Sequence, residues 1–157
     1  MRGNSTDLLE DLNRLMAEEA EACLRYFQMR FRLRGKGRSA AEKFFEEALK
    51  ETLEHADAIA KQIRSLGHIP TLHIDLSLSG GPMRPEEALA EALEVEQQAL
   101  DAYQEFLPRV TGHPALEDFI RQQIAVETEH VQEILDVVRA AAPLKLVAKV
   151  RRRPTSL

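Results

Sequence analysis

The sequence predicts an all-α protein whose four long helices form a bundle of two antiparallel hairpins joined by one long crossover. Three observations point to this fold class. Apolar residues recur at helical spacing in four separate segments. Short loops join the first segment to the second and the third to the fourth, as in antiparallel hairpins. The middle connection, HIPTLHIDLSLSGGPMRP at 68–85, is long and rich in turn residues, whereas an up-down-up-down bundle needs only short loops.

The first two helices are marked by their apolar stripes and by glycines. The first is expected over residues 6–33, ending before the GKG sequence at 35–37. Its stripe consists of Leu8, Leu12, Leu15, Ala22 and Tyr26. The second is expected to begin with a capping box formed by Ser39 and Glu42 and to end at Gly67. Its stripe consists of Phe45, Ala48, Ala56, Ile59 and Ile63.

The last two helices are bounded by prolines and a glycine. The third should begin at Pro85, a favoured first helical position, and continue to the break at Gly112. Its stripe consists of Leu89, Ala92, Ala99, Tyr103, Phe106 and Val110. The fourth should begin near Pro114 and end at about Ala142, because Pro143 disfavours a continued helix. Its stripe consists of Leu116, Ile120, Ile124, Val131, Ile134 and Val138.

The remaining segments suggest one domain with an extension. We expect residues 1–142 to form the bundle and residues 143–157 to form a basic C-terminal tail, with a short fifth helix as an alternative. The crossover should lie along the bundle and cover apolar surface with Ile69, Leu72, Ile74, Leu76 and Leu78. The tail carries five positive charges and no acidic residue over 144–157. It is expected to be a surface helix with a frayed end, or a basic collar that binds nucleic acid, acidic lipid or an acidic partner.

Composition excludes several classes of protein. A chain of 157 residues with 44% hydrophobic residues can bury one core. The net charge of −5 does not by itself indicate a nucleic-acid partner. The chain has no apolar run long enough for a transmembrane segment, and its polar start, MRGNSTD, is unlike a signal peptide, so we expect a cytoplasmic protein. Cys23 is the single cysteine, which excludes an internal disulfide and a Cys-rich metal site, and we expect it to be a small buried hydrophobe.

Each helix carries one polar residue at the centre of its apolar stripe. On helical wheels these residues are Glu19, Thr52, Glu96 and Glu127. Each lies near the midpoint of its helix, and midpoints coincide whichever way a helix runs. The four side chains should therefore meet at one level of the core.

Two histidines and two tyrosines repeat this pattern. His55 follows Thr52 by three residues and His130 follows Glu127 by three, each offset by about 60° to the same side. Glu19 is followed seven residues later by Tyr26, and Glu96 is followed seven residues later by Tyr103. The two halves of the chain thus look like copies of one hairpin.

Buried acidic residues at this level indicate a metal site. Three uncompensated carboxylates in an apolar core would be costly, and bound cations would remove that cost. Carboxylate oxygens with two imidazoles suit iron or manganese, with zinc as a further candidate. Single acidic residues and single Glu-x-x-His motifs occur by chance in helices. Apart from Thr52, the combination resembles the constellation of di-iron carboxylate bundles, in which two helices each supply a Glu and two each supply Glu-x-x-His.

The sequence resembles the bacterioferritins, within the wider ferritin-like group, over nearly all of residues 7–142. The similar stretches are LNRLMAEEAEACLRYF, ETLEHADAIAKQIRSLGHIP, EEALAEALEVEQQALDAY and VETEH. The resemblance implies Glu19 and Glu96 as terminal metal ligands, Glu127 as a bridging ligand, and His55 and His130 as imidazole ligands. The resemblance implies that Tyr26 and Tyr103 lie beside the metal ligands. Each is explained equally well as an ordinary core tyrosine whose hydroxyl has a hydrogen-bond partner. We assign catalytic roles to Glu127, Glu19 and Tyr26.

Two positions depart from the family pattern. Thr52 stands where a second bridging Glu is expected, so the site could hold one metal tightly and another weakly, or none. The neighbouring Glu51 points about 100° away from Thr52 and, with Glu47, is expected to face the interior of a shell or simply solvent. Leu53 replaces the methionine that ligates haem between paired bacterioferritin subunits, so we expect no haem.

The resemblance implies a function in iron oxidation and storage. Two Fe(II) ions per subunit would be oxidised by oxygen or peroxide, and Fe(III) would be stored in a shell of 12 or 24 subunits. One alternative is a rubrerythrin-like peroxide reductase, although the chain has no CxxC pair. Another is a structural or binding bundle whose metal site has decayed at Thr52. A dimer would favour either alternative.

Overall fold

The computed structural model describes the backbone of residues 5–150 and the side chains of residues 6–140. Over this range the chain forms four α-helices, one 3-10 helix and no strand beyond an isolated bridge. The α-helices are α1 (Ser5–Arg32), α2 (Arg38–Ser65), α3 (Pro85–Phe106) and α4 (Pro114–Val150), and the 3-10 helix is Leu107–Val110. The predicted all-α four-helix bundle is confirmed.

The long crossover connects the end of α2 to the start of α3 and returns the chain to the carboxyl end of α1. There Leu33 and Met83 form a parallel bridge. The backbone N–H of Arg34 donates to the Met83 carbonyl oxygen at 2.9 Å, and the Met83 N–H donates to the Arg32 carbonyl oxygen at 2.9 Å. Near the other end of the bundle, the Thr71 N–H donates to Oδ1 of Asn13 at 2.8 Å. The crossover is therefore hydrogen-bonded to α1 at both ends.

The crossover covers less apolar surface than the sequence suggests. Ile74, Leu76 and Leu78 are half-buried, but Ile69 and Leu72 are 79% and 55% exposed. The prediction that the crossover residues cover apolar surface is therefore wrong for Ile69 and Leu72. The extended crossover alternates its side chains, so only one set can face the helices.

Helix α2 begins without the predicted capping box. Its first residue is Arg38, and the preceding Gly37 has φ 87°, a conformation that glycine adopts without steric cost. Among residues 6–140 no side chain caps this end, and Glu42 instead pairs with Arg38 at 3.3 Å. Backbone geometry at the tight turn, rather than the Ser39 hydroxyl, sets the start of the helix.

Two prolines affect helix ends differently. At Pro108 the missing N–H coincides with the change from α-helix to 3-10 helix, so α3 ends at Phe106 instead of continuing to Gly112. At Pro143 the predicted end is wrong, because the α4 backbone continues to Val150. The residues after Pro143 include leucine, lysine and alanine, which favour helix and offset one missing hydrogen bond.

The buried apolar residues form two clusters, one toward each end of the bundle. The cluster at the end where α1 begins consists of Leu12, Leu15, Met16, Ala56, Ile59, Ile63, Tyr103, Phe106, Val110, Leu116 and Ile120. The cluster at the other end consists of Ala22, Tyr26, Met29, Leu33, Ala41, Phe45, Met83, Ala88, Ala92 and Ile134. In sequence, a layer of buried polar residues falls between the two on every helix.

The single cysteine is less buried than the sequence predicts. Cys23 is half-buried rather than buried, and its thiol donates a hydrogen bond to the Leu49 carbonyl oxygen at 3.3 Å. This contact, together with Leu49 packing, ties α1 to α2.

None of the described helices has the length and apolarity that crossing a bilayer would require.

We expect Ile120→Ala to lower the free energy of unfolding by about 2–5 kcal/mol, because the removed atoms are fully buried and a cavity remains. The exposed Ile69 provides the matched control, and Ile69→Ala should cost less than about 0.5 kcal/mol. Urea denaturation of the metal-free protein measures both. Equal losses for the two variants would contradict the assignment of the core.

Candidate metal centre

The polar layer between the two apolar clusters places acidic side chains deep in the bundle. Glu19, Glu96 and Glu127 are only 4%, 5% and 1% exposed. Helical periodicity puts each on the inner face of its helix, where the neighbouring turns are apolar. Glu19 comes from α1, Glu96 from α3 and Glu127 from α4. With His55 of α2 and His130 of α4, they form a set that we call the buried centre.

One half of the buried centre, the Glu19 group, consists of Glu19, His55 and Glu127. Nδ1 of His55 lies 3.0 Å from Oε1 of Glu127 and 3.6 Å from Oε2 of Glu19. One donor atom from each of the three residues lies within 4.8 Å of the others, which is close enough for all three to contact one cation.

The other half, the Glu96 group, consists of Glu96, Glu127 and His130. Nδ1 of His130 lies 3.3 Å from Oε2 of Glu96 and 3.6 Å from Oε2 of Glu127. Glu127 therefore belongs to both groups, using a different oxygen for each. The two imidazole rings are stacked, with centroids 5.8 Å apart and planes inclined by 13°.

The two core tyrosines connect the hairpins through the carboxylates. The Tyr26 hydroxyl on α1 donates to Oε1 of Glu96 on α3. The Tyr103 hydroxyl on α3 donates to Oε1 of Glu19 on α1 at 2.5 Å. Each tyrosine thus holds the glutamate of the opposite hairpin and leaves the other oxygen of that glutamate facing the centre. Burial raises the pKa of both hydroxyls well above the ordinary value, so they act as donors.

Thr52 lies in the polar layer but contributes no donor atom to either group. Its side chain is buried, and its hydroxyl donates to carbonyl oxygens of its own helix, 3.0 Å from Ala48 and 3.1 Å from Leu49. Such back-bonding is the usual behaviour of threonine within a helix. The centre therefore has three buried carboxylates where the two-fold pattern of the sequence would give four.

The ionisable groups of the buried centre shift one another's pKa values. Burial opposes the ionised form of Glu127, but His130 and His55 outweigh this effect and lower its pKa to about 2. Burial also opposes protonation of His55, yet Glu127 and Glu19 raise its pKa to about 10. Contacts with Glu127 and Glu96 raise the pKa of His130 to about 10. Desolvation raises the pKa values of Glu19 and Glu96. Without cations, the two protonated imidazoles offset two of the three carboxylate charges.

The same atoms fit bound cations better than they fit hydrogen bonding. Both carboxylate oxygens of Glu127 and Nδ1 of His55 are buried without a hydrogen-bond partner among the described residues. Nδ1 of His55 lies 3.0 Å from Oε1 of Glu127, but the two atoms do not form a hydrogen bond of acceptable geometry. Buried polar atoms are rarely left unpaired, and carboxylate with imidazole is a donor set suited to iron, manganese or zinc. These five residues could therefore hold two cations with Glu127 between them.

One residue near the centre has a contact that the sequence did not reveal. The wheel position of Glu51 points away from Thr52, and Glu51 is exposed as expected. Its long side chain nevertheless places Oε2 at 3.3 Å from Nε2 of His130. A wheel gives the direction of the Cα–Cβ bond but not the reach of the flexible atoms beyond it, so the pattern carried no signal for this contact.

The fold and the buried side chains together define a four-helix protein with a carboxylate and histidine centre. A family model described as Ferritin-like domain matches residues 9–141. The chain belongs to this family. No match is found among curated protein sequences.

Two solved structures share the fold. One is a ferritin-like, diiron-carboxylate protein from Bacillus anthracis strain Ames, with a TM-score of 0.75 and 24% identity, covering 88% of this chain and 99% of that one. The other is a dodecameric thioferritin, the bacterioferritin-related protein of Bacteroides fragilis, with a TM-score of 0.79 and 24% identity. That match covers 92% of this chain and 91% of the other.

We expect divalent cations to displace about two protons when they bind both halves of the centre at neutral pH, one from each imidazole whose pKa lies near 10. Because protons and cations compete for the same nitrogen atoms, affinity should rise with pH. Titration calorimetry with zinc in buffers of different ionisation enthalpy measures the release. His55→Ala should remove about one proton from the total. Binding without proton release would contradict the charge assignment.

Proposed function

We propose that this protein is a haem-free relative of the bacterioferritins that oxidises ferrous iron at the buried centre and stores ferric iron in an oligomeric shell. One observation carries the proposal. The fully buried Glu127 directs two unpartnered oxygens toward two separate groups, each completed by one further carboxylate and one imidazole. A ferritin-like diiron-carboxylate protein with the same fold supports it.

In this proposal, iron is the substrate and the protein supplies the ligands. Glu19 and His55 would hold one ferrous ion, Glu96 and His130 would hold the other, and Glu127 would contact both. Bound iron supplies the redox chemistry, each ferrous ion losing one electron to oxygen or peroxide. Tyr26 and Tyr103 keep the terminal carboxylates in place through hydrogen bonds from opposite hairpins. Manganese or zinc could occupy the same donors.

Acidic surfaces lead toward the centre from two sides. Between α1 and α3 lies a groove of about 330 Å³, with Glu19 and Tyr103 in its wall. Its acidic residues are Glu18, Glu21, Asp101 and Glu105. Between α2 and α4 lies a smaller cavity of about 80 Å³, lined among others by Thr52, Glu96 and His130. Clustered carboxylates raise the local concentration of cations, so either side could deliver ferrous iron.

We expect Glu127→Ala to abolish saturable oxidation of ferrous iron, because the change removes a donor from both halves of the centre. Glu129→Ala is the matched control, since Glu129 lies on the same helix with an exposed side chain, and it should retain the wild-type rate. Oxygen uptake after addition of ferrous salt under air, corrected for buffer autoxidation, measures both. Unimpaired uptake by Glu127→Ala would remove the proposed function.

The rival functions would give other results with peroxide and with repeated additions of iron. A peroxide reductase would consume peroxide with ferrous protein but leave no ferric mineral after many turnovers. A structural bundle with a decayed site would bind no iron at all, and Thr52 is the residue that favours this alternative. Mineral retained on a sizing column after repeated iron additions therefore separates storage from both.

Storage also requires assembly, and one surface is suited to it. Three large exposed apolar side chains lie at helical spacing on one face of α1, and a fourth is exposed on α2; each is at least 44% exposed: Leu24, Phe27, Phe31 and Leu53. Arg30 stacks over Phe27 and Phe31, at 5.7 Å and 5.2 Å from their ring centroids. Exposed apolar groups in such a cluster mark protein interfaces. Leu53 stands where bacterioferritins have the methionine that ligates haem between paired subunits. We therefore propose that a pair of subunits joined by this face binds no haem.

We expect Phe31→Glu to reduce the assembly to smaller species, because a charge would be buried without a partner at the subunit contact. Sedimentation velocity of the wild-type protein should show a shell of many subunits. The dodecameric neighbour supports this expectation. Thr111→Glu, in the exposed loop before α4, should leave the mass unchanged. A Phe31→Glu variant with the wild-type mass would exclude this face as an interface.

The basic C-terminal tail and the cellular location are further parts of the proposed function. The basic tail at 143–157 falls outside the residues whose side chains the structure describes, and we propose it as a contact for nucleic acid or an acidic partner. A cytoplasmic location is likewise proposed from the sequence, in keeping with iron chemistry inside the cell.

A further inference from the structure

The two imidazoles of the buried centre have different surroundings. His130 is contacted through both ring nitrogens, with Nδ1 at 3.3 Å from Oε2 of Glu96 and Nε2 at 3.3 Å from Oε2 of Glu51. Among the described residues, the acidic contacts of His55 all involve its Nδ1 atom. We propose that Glu51 is a positioning residue for His130 and makes the Glu96 group the stronger of the two cation sites. This inference rests on the proposed function.

Ring geometry gives Glu51 its role. Only Nδ1 of His130 faces the carboxylates of Glu96 and Glu127, so a cation between the helices would be bound by Nδ1. The proton of the imidazole would then reside on Nε2, which lies 3.3 Å from Oε2 of Glu51. A carboxylate at this place fixes the tautomer and the ring orientation and increases the basicity of the ligating nitrogen.

The sequence position of Glu51 connects this contact with the missing fourth carboxylate. Glu51 precedes Thr52 on α2, and the Thr52 hydroxyl is used by carbonyl oxygens of its own helix. The negative charge that Thr52 lacks is present one residue earlier, and it acts on the Glu96 group from behind His130. The Glu19 group has no equivalent acidic contact on the outer side of His55 among the described residues. The charge distribution of the centre is therefore unequal.

A less specific role must be distinguished from positioning. Glu51 shares the mouth of the small α2/α4 cavity with Glu47 and Glu133, and the three could attract cations merely by their summed charge. In that case all three would contribute alike. Positioning requires that Glu51 alone affect the bound ion and that its effect depend on His130.

Cobalt(II) titration of the full-length, metal-free protein, followed by visible absorption, tests the inference. We expect Glu51→Ala to weaken binding of the first cobalt ion by about 10-fold or more and to change its absorption spectrum. Glu51→Gln, which keeps an oxygen that can accept from His130, should preserve the spectrum with a smaller loss of affinity. Glu47→Ala is the matched control on the same exposed face of α2, and should alter affinity by less than about threefold.

A double-mutant cycle shows whether the effect passes through His130. In a His130→Ala background, Glu51→Ala should have no further effect, whereas in a His55→Ala background its full effect on the first ion should persist. Equal losses for Glu51→Ala and Glu47→Ala, or an unchanged first affinity in Glu51→Ala, would overturn the inference. A wild-type protein that binds no cobalt and oxidises no iron would instead refute the proposed function.

Discussion

The burial of three carboxylates with two imidazoles at mid-height is the constraint on which the rest of the bundle depends. Apolar clusters lie on either side of this layer, so its charges are largely removed from water. Without cations, protonation of both imidazoles offsets only two of the three carboxylate charges, and Glu127 has no hydrogen-bond partner among the described residues. Removing either kind of group alone would leave buried charge uncompensated, which is among the costliest defects in a protein core. Cations bound at this layer would therefore stabilise the buried ligands, and their binding would be coupled to the stability of the fold.

The hairpin repeat explains how four separate helices present this layer accurately. Each hairpin places a glutamate and a tyrosine on its first helix, seven residues apart, and a histidine on its second. The tyrosine of one hairpin then donates to the glutamate of the other, so Tyr26 and Tyr103 form reciprocal contacts across the bundle. These contacts fix the relative height of α1 and α3, because a shift by one turn, about 5.4 Å, would break both hydrogen bonds. The repeat that makes the site recognisable also sets its register.

Much of this arrangement could be predicted from the sequence, because helical periodicity fixes the direction of each Cα–Cβ bond. That rule was sufficient to predict that Glu19, Glu96 and Glu127 point into the core at one level. It failed where tertiary contacts or backbone detail decide the outcome. The start of α2 depends on a left-handed glycine, and the continuation of α4 past Pro143 depends on the helix-forming residues beyond it. The exposure of Ile69 and the reach of Glu51 to His130 depend on neighbours that are distant in sequence.

The substitution at Thr52 changes the symmetry of the centre more than its size. In a fully repeated pattern both hairpins would offer a bridging carboxylate, and the two cation sites would be nearly equivalent. Here Glu127 is shared, and Thr52 leaves the other side of the layer open to the small cavity between α2 and α4. With three carboxylates, one divalent cation would leave the centre with a net charge of −1. Two divalent cations would leave it with a net charge of +1. Because net charge in a low-dielectric site is costly, a second divalent cation would bind more weakly than the first unless it brought an anion from solution. Unequal affinity for the first and the second cation would thus follow from composition alone, before any difference in geometry between the two groups is considered.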